Sequence, residues 1–363
     1  MSSILFEEFR TPKLTLANRI VMAPMTRRAS PGGVPDANVA RYYQRRAEGG
    51  VGLIVTEGTT INRPAASDNT SIPNFHTPAS LAGWRQVVDA VHAAGGKIAP
   101  QLWHHGLARR AGSGPHPDAP SEGPSASDAD QHAMNDADIA FTVAAFAMAA
   151  ANAKQLGFDA VELHGAHGYL IDQFLWERTN RRSDAYGGDL AARTRFATEV
   201  VRAVRKAVGP EFPVIFRFSQ WKSQDYEARL ANTPDELEQL LTPLADAGVD
   251  IFHASTRRYW EPEFAGSALN LAGWARKLTG LPAISVGSVG LSGADFMAQL
   301  RGDSQGAGTD SLDKLLQRME EGEFDLIAIG RALLSDPQWA AKVRDGRLQE
   351  LHPFDRAAMQ TLV

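Results

Sequence analysis

Eight times along the chain a short run of apolar, β-branched residues gives way to an Ala-rich stretch with helical spacing. Few folds accommodate that alternation. The strand-like runs are RIVMAPM (19–25), GLIVTEG (52–58), KIAPQLW (97–103), FDAVELH (158–164), VIFRFS (214–219), VDIFHAS (249–255), PAISVGS (282–288) and FDLIAIG (324–330). Helical spacing occupies 38–48, 80–94, 135–156, 188–208, 233–247, 270–278, 311–321 and 336–346. The runs are apolar on both faces, as strands of a fully covered parallel sheet are. The pattern predicts an α/β protein, a (β/α)8 TIM barrel spanning residues 1–363 as one domain. A doubly wound sheet usually has fewer strands. Its glycine-rich turn after the first strand is also missing, since RIVMAPMTRR stands there.

The connections are unequal. Residues 104–134 are rich in Gly, Pro, Ser and Asp and follow the third strand directly. Loops of that length in a compact domain are usually functional or locally folded, so this one is expected to be a loop or subdomain covering the active site. FAGSALNLAGW makes a second excursion after strand six, and 291–310, with RGDSQGAGTD, reads as a mobile outer loop.

Composition narrows the chemistry. With 363 residues, 44% of them hydrophobic, the chain has material for one large barrel. Acids and bases are intermixed around a net charge of -5, and no basic tract points to nucleic acid. MSSILFEEF has no signal-peptide pattern and no run is long enough to span a membrane, so a cytoplasmic location is expected. There is no cysteine. Disulfides, thiolate nucleophiles, cysteine-held zinc and protein-bound iron–sulfur clusters are therefore excluded, and redox chemistry would need an organic cofactor or other ligands.

If the barrel forms, chemistry-bearing residues converge on the C-terminal ends of its strands. They are Pro24, Met25 and Thr26; Glu57 and Gly58; Gln101 and Trp103; His164; Arg217 and Ser219; His253 and Ser255; Gly287 and Ser288; Gly330 and Arg331. SVGSVG (285–290) and IAIGRALL (327–334) each run from strand into glycine, and Arg331 adds a cation. Close backbone approach and a guanidinium together predict a phosphate site between strands seven and eight. HGAHGYLIDQFL (164–175) is open to three readings on its own. Zinc binding by His164 and His167 lacks a convincingly spaced third ligand. The pair can also be structural. Alternatively, two neutral imidazoles donate to a developing oxyanion while Tyr169 supplies a proton.

APMTRR, QLWHHG, HGAHGYLIDQFLWERTNRRSDAYGG, FRFS, SVGSVG and IAIGRALLSDP, in that order over residues 3 to 350, resemble the old yellow enzyme family of FMN-dependent ene-reductases. The resemblance implies non-covalent FMN, with NADH or NADPH as reductant. It would place Pro24, Met25 and Thr26 along the flavin ring, with the Gly58 backbone and Gln101 at its pyrimidine portion. Arg217 would face the ring's N1–C2 edge, with Glu57 or Glu162 as its partner if its role is structural instead. Gly287, Ser288, Gly330 and Arg331 would hold the phosphate. It implies that His164 and His167 clamp the substrate oxygen, that His164 also borders the cofactor, and that Tyr169 is the proton donor. Trp103, Tyr259 and Trp260 are candidates to shape the substrate pocket, their alternative role being packing around loops. Arg257 and Arg258 would meet either the nicotinamide nucleotide's phosphates or neighbouring carboxylates. Asn180, Arg181, Asp184, Tyr186 and the following glycines read as scaffold, with Asp189 as a helix cap. Zero cysteines and the chain length argue against the larger relatives that carry an iron–sulfur segment.

The implied partners are activated alkenes and a nicotinamide cofactor, and family members commonly self-associate. No metal is implied. A nitro or nitrate-ester reductase, or another flavin-dependent dehydrogenase, is the nearest rival. A barrel lyase or aldolase would want a strand-borne lysine, and Lys97 lies at the wrong strand end. A non-catalytic binding protein is the third reading.

Overall fold

Hydrophobic alternation gathers eight parallel strands into a closed barrel in this computed structural model, which describes residues 3–291 and 310–363. In chain order the barrel strands are β1 (Ile20–Met22), β2 (Leu53–Thr60), β3 (Lys97–Trp103), β4 (Val161–His167), β5 (Val214–Lys222), β6 (Ile251–Ser255), β7 (Ala283–Val286) and β8 (Leu326–Ile329). Each pairs with its sequence neighbours, and β8 closes on β1 through Ile327 opposite Ile20. The fold class is the (β/α)8 barrel the alternation predicts. The stretch 292–309, including most of the RGD-bearing segment, lies outside the described residues.

The helices between strands begin where the sequence supplies a side-chain acceptor for an otherwise orphaned amide. Asp36 caps α1 (Ala37–Glu48), and Thr77 caps α2 (Pro78–Ala93) with proline in its first turn. Asn135 and Asp138 form a reciprocal capping box on α3 (Asp136–Gln155). A short α4 (Leu170–Leu175) follows β4, and Asp189 caps α5 (Leu190–Val208) as the sequence suggested. Thr233 caps α6 (Pro234–Ala247) and Asn270 caps α7 (Leu271–Thr279). Later come α8 (Asp310–Glu320), α9 (Arg331–Ser335) and α10 (Trp339–Arg344).

Two cores result from the two faces of the strands. One lies between strands and helices and includes Trp84, Phe146, Phe196 and Trp339. The other fills the barrel, with Val21, Leu53, Val55, Ala99, Ile215, Ile251, Ile284 and Leu326 among its members. Phe9, Leu14 and Leu16 join that inner cluster from an antiparallel hairpin, Phe9–Arg10 against Thr15–Leu16. Lys13 in its turn reaches Asp250 at 2.5 Å, immediately before β6, so the hairpin stoppers the N-terminal end of the barrel. Along β3, β5 and β6 the period-2 inward set is apolar near this stopper and polar toward the other end. Ala99 gives way to Gln101, Ile215 to Arg217, and Ile251 to His253 and Ser255. The apolar layers carry the packing, which leaves the polar layer for chemistry.

Residues 104–134 are folded. Ser121–Gly123 pairs in parallel with Gln131–Ala133. Arg109, nearly fully buried, donates to the carbonyls of Ser67, Ser113, His116 and Ala119. Glu122 accepts from Arg63 and bonds His104 at 2.8 Å, tying the excursion to the end of β3. In the TNRRSDAYGG segment, Asn180 bridges the Phe174 and Tyr186 carbonyls. Arg182, not Arg181, grips Asp184, Pro124 and Met134.

Candidate active site

The polar layer opens into a cleft enclosing about 1180 Å³ of atom-free space, part of it open to solvent. Most of the residues singled out in the sequence line it: Pro24, Met25, Thr26, Gln101, Trp103, His164, His167, Tyr169, Arg217, Ser255, Gly287, Ser288, Gly330 and Arg331. Seven different strand ends contribute, which is how this architecture builds sites.

Gly58, Tyr259, Trp260 and the long excursion are not among the residues that line it. Gly58 does not line the cleft; a Cβ there would lie 2.3 Å from the Trp103 ring, so its bare backbone makes room for that indole. Gly58→Ala is therefore expected to cost about 1–3 kcal/mol by overpacking, read as a lower Tm in a thermal melt. Tyr259 is fully buried behind the cleft, ring to ring with Trp260 at 5.1 Å. Asn270 holds the Tyr259 carbonyl and Arg318 that of Trp260, so this aromatic pair packs the β6 loop. Among the described residues none of 104–134 lines the cleft. The excursion meets the site through His105, whose ring lies 3.9 Å from that of Trp103 and 5.6 Å from that of Tyr169.

The histidines occupy one edge. β4 continues past a bulge between Gly165 and His167, so His167 ends the strand, three residues beyond the end the sequence pattern suggested. Its φ of +64° is left-handed, a conformation that a non-glycine residue holds only under surrounding constraint. The two rings stand 5.2 Å apart at 89°, each committed to a neighbour. Nδ1 of His164 accepts from the Ala166 N–H at 3.4 Å, which leaves its proton on Nε2. Nε2 of His167 bonds Ser255 Oγ at 2.8 Å, and that oxygen accepts from Arg217 at 3.3 Å. Ser255 is then free to donate to His167, leaving the proton on Nδ1. Each imidazole thus keeps one N–H. Burial first, then the Arg217 charge, holds both well below the usual imidazole range, so both are neutral at neutral pH. Among the described residues no group of three His, Asp or Glu side chains is placed to hold a metal.

Tyr169 lies beside them, ringed edge-on by His164 at 5.0 Å and Trp103 at 4.8 Å. Burial and the Asp68 charge push its phenol above 10, against the pull of Arg28, so it keeps its proton. Arg217 is buried at the base; burial draws its guanidinium down while Glu162 opposes. Glu57 is not its partner, since that carboxylate accepts the Arg27 and Arg28 N–H groups and burial raises it to about 7. Glu162 instead takes the Gln101 amide N–H at 2.8 Å and His253 at 2.6 Å, which turns the Gln101 carbonyl oxygen away as a free acceptor.

The cleft fits a planar, partly anionic cofactor. Arg217 Nε is buried without a partner among the described residues. A Cβ on Gly287, whose φ is +155°, would strike Thr256, so bare backbone is required beside Ser288 and Arg331. Burial pushes Arg331 down to about 10, as drawing a cation out of water at the mouth of a cleft does.

Sequence reasoning overlooked Trp221 and Tyr226, which also line the cleft. β5 runs three residues beyond its expected end, and the signal was present, since Arg217, Ser219 and Trp221 continue the inward alternation. Trp221 lies against His167 with ring centres 4.4 Å apart.

Known proteins show the same architecture. The family model described as NADH:flavin oxidoreductase / NADH oxidase matches residues 4–350. An NADH oxidase of Thermoanaerobacter brockii is 35% identical over 359 residues, covering 96% of this chain. The chain spans about half (52%) of that relative's length. A rice (Oryza sativa subsp. japonica) 12-oxophytodienoate reductase 7 is 32% identical over 94% of this chain and 87% of its own. The structure of morphinone reductase in complex with tetrahydroNAD superimposes with a TM-score of 0.81 at 29% identity, over 98% of this chain and 93% of that one.

Proposed function

The chain belongs to the NADH:flavin oxidoreductase / NADH oxidase family, that of the old yellow enzymes, and from that premise we propose that it is an FMN-dependent ene-reductase. The observation that carries this reading is the grouping of two neutral, tautomer-fixed histidines and a protonated tyrosine on one edge of a cleft. A glycine–arginine grip forms another edge.

Pro24, Met25, Thr26 and Gln101 would hold the flavin ring, and the Gln101 carbonyl suits a ring N–H. Arg217 would meet the pyrimidine edge, where negative charge gathers on reduction, and Gly287, Ser288, Gly330 and Arg331 the phosphate. When bound, FMN supplies a hydride carrier between NADH or NADPH and an alkene conjugated to a carbonyl or nitro group. His164 and His167 polarise the acceptor oxygen by donating two N–H bonds that strengthen as charge builds on it. Tyr169 delivers the proton to the α-carbon. Trp103 bounds the substrate space, and residues 104–134 support it and Tyr169 from behind through His105. The partners are small molecules that take turns in one cleft. A lyase reading loses its nucleophile, because Lys97 is at the opposite strand end bonding Asp159.

The test is direct. Purified protein is expected to show flavin absorbance and to release FMN on denaturation; folded protein that neither contains nor takes up FMN overturns the assignment. Arg331→Ala is expected to weaken FMN binding about 10- to 100-fold, as a lost charge-assisted contact does, measured by titrating apoprotein with FMN.

A further inference from the structure

Behind the histidines lies a charge pair that the chemistry above leaves unused. Lys222, at the end of β5, and Asp172, in α4, are both fully buried, with Nζ and Oδ1 2.8 Å apart. Stability alone is a weak reason for such a pair, because apolar residues of similar volume commonly serve as well.

What sets this one apart is what else it holds. Asp172 Oδ2 accepts the Gly168 N–H at 2.6 Å, and Lys222 Nζ donates to the Ser219 carbonyl at 3.0 Å. Gly168 separates His167 from Tyr169, and its own φ of +82° follows the +64° of His167. Gln173 donates to the Gly168 carbonyl at 2.7 Å. Ser219 Oγ accepts the His167 N–H at 3.0 Å, and the Ser223 N–H reaches the His167 carbonyl at 3.2 Å. All four backbone polar groups of these two left-handed residues are therefore held, two by α4 and two by Ser219 in β5 and Ser223 just after it. The ion pair ties the two holders together.

We propose that Asp172 and Lys222 are positioning residues that set the placement of His167 relative to Tyr169 by fixing the turn at Gly168. The proposal rests on the ene-reductase reading for its kinetic consequence, since an oxygen clamp and a proton donor two residues apart must address two atoms of one substrate. Misplacement by on the order of 1 Å in such a site costs about 100-fold. An ionised acceptor makes a shorter and stronger bond to a peptide N–H than a neutral one. Burial pushes the Asp172 carboxyl up, and Lys222 is the charge that opposes it.

The experiment compares two double variants. Asp172→Leu with Lys222→Met removes both charges and the acceptor for Gly168, whereas Asp172→Asn with Lys222→Met keeps a neutral acceptor. In the first, FMN content and thermal stability are expected to stay near the parent's. Re-oxidation of the reduced protein by a cyclic enone should slow about 10- to 100-fold. Re-oxidation by a quinone, whose product takes its protons on oxygen from water, should change little. The Asn variant should recover most of the enone rate. An equal fall with both acceptors, no fall, or no recovery with Asn overturns the proposal. Amide hydrogen exchange at Gly168 reads the turn without any substrate: faster exchange in the Leu variant supports the role and unchanged exchange overturns it. If the Leu variant does not fold, Asp172→Ser with Lys222→Met takes its place under the same two measurements. A parent protein that reduces no enone removes the ene-reductase reading, while the exchange rates still decide what the pair does.

Discussion

Tyr169→Phe is expected to leave reduction of the bound flavin by NAD(P)H unchanged and to slow its re-oxidation by simple enones about 10²- to 10⁴-fold, the usual range for a lost general acid. The substitution removes one oxygen and little else. The ring's edge-on contacts with Trp103, His105 and His164 are made by carbon atoms that phenylalanine keeps. Burial and the Asp68 charge hold the phenol protonated through the neutral range, so the wild-type donor is fully loaded when hydride arrives. Anaerobic stopped-flow separates the two halves. Nitroalkenes provide the internal control, because their nitronate product survives to be protonated by water. An enone rate equal to wild type would remove Tyr169 from the chemistry.

The second large effect concerns the clamp. His164→Ala or His167→Ala should each weaken acceptor binding and slow re-oxidation about 10²- to 10³-fold, the range for removing one preorganised donor to a developing oxyanion. The two losses should not add fully, because an oxygen held by one donor is no longer aimed at Tyr169. The protonation states add a pH signature. Both imidazoles are held well below their usual range, and the tyrosine above its own. Enone turnover is therefore expected to be flat from about pH 6.5 to about pH 9, with no step from these three groups. Stability behaves differently. Below about pH 6.5 the unfolded chain takes up protons that folded His164 and His167 refuse, so folding free energy falls as the pH drops through that value. A titration of enone turnover with a midpoint inside the flat window, lost in either variant, would contradict the neutral-clamp account.

Strand order, helix positions and most of the cleft were readable because they depend on local alternation and on which end of a strand a residue occupies. The ends of β4 and β5 were not. β4 continues through a bulge where Gly165 allows the Phe216 ring to approach, a contact set by the neighbouring strand. Tyr259 and Trp260 look like pocket aromatics in isolation, and only the distant Asn270 and Arg318 show that their loop turns inward. The same holds for LIDQFL. Its apolar pattern reads as packing, and its four apolar residues do pack. Gln173 bonds its own turn locally, whereas Asp172 finds its meaning fifty residues away at Lys222, a distance no local pattern spans.

The small hairpin that stoppers the barrel has a consequence for traffic. With Phe9, Leu14 and Leu16 wedged among the inner strand residues, the described residues fill the barrel from below, and the cleft stands on a packed floor. Under the proposed reaction, nicotinamide and alkene would then share the one mouth. An excess of either is expected to slow turnover by occupying it, which steady-state inhibition by high substrate or high NAD(P)H would show. A fold that stacks its polar residues on a filled floor has in this way written a queue into its architecture.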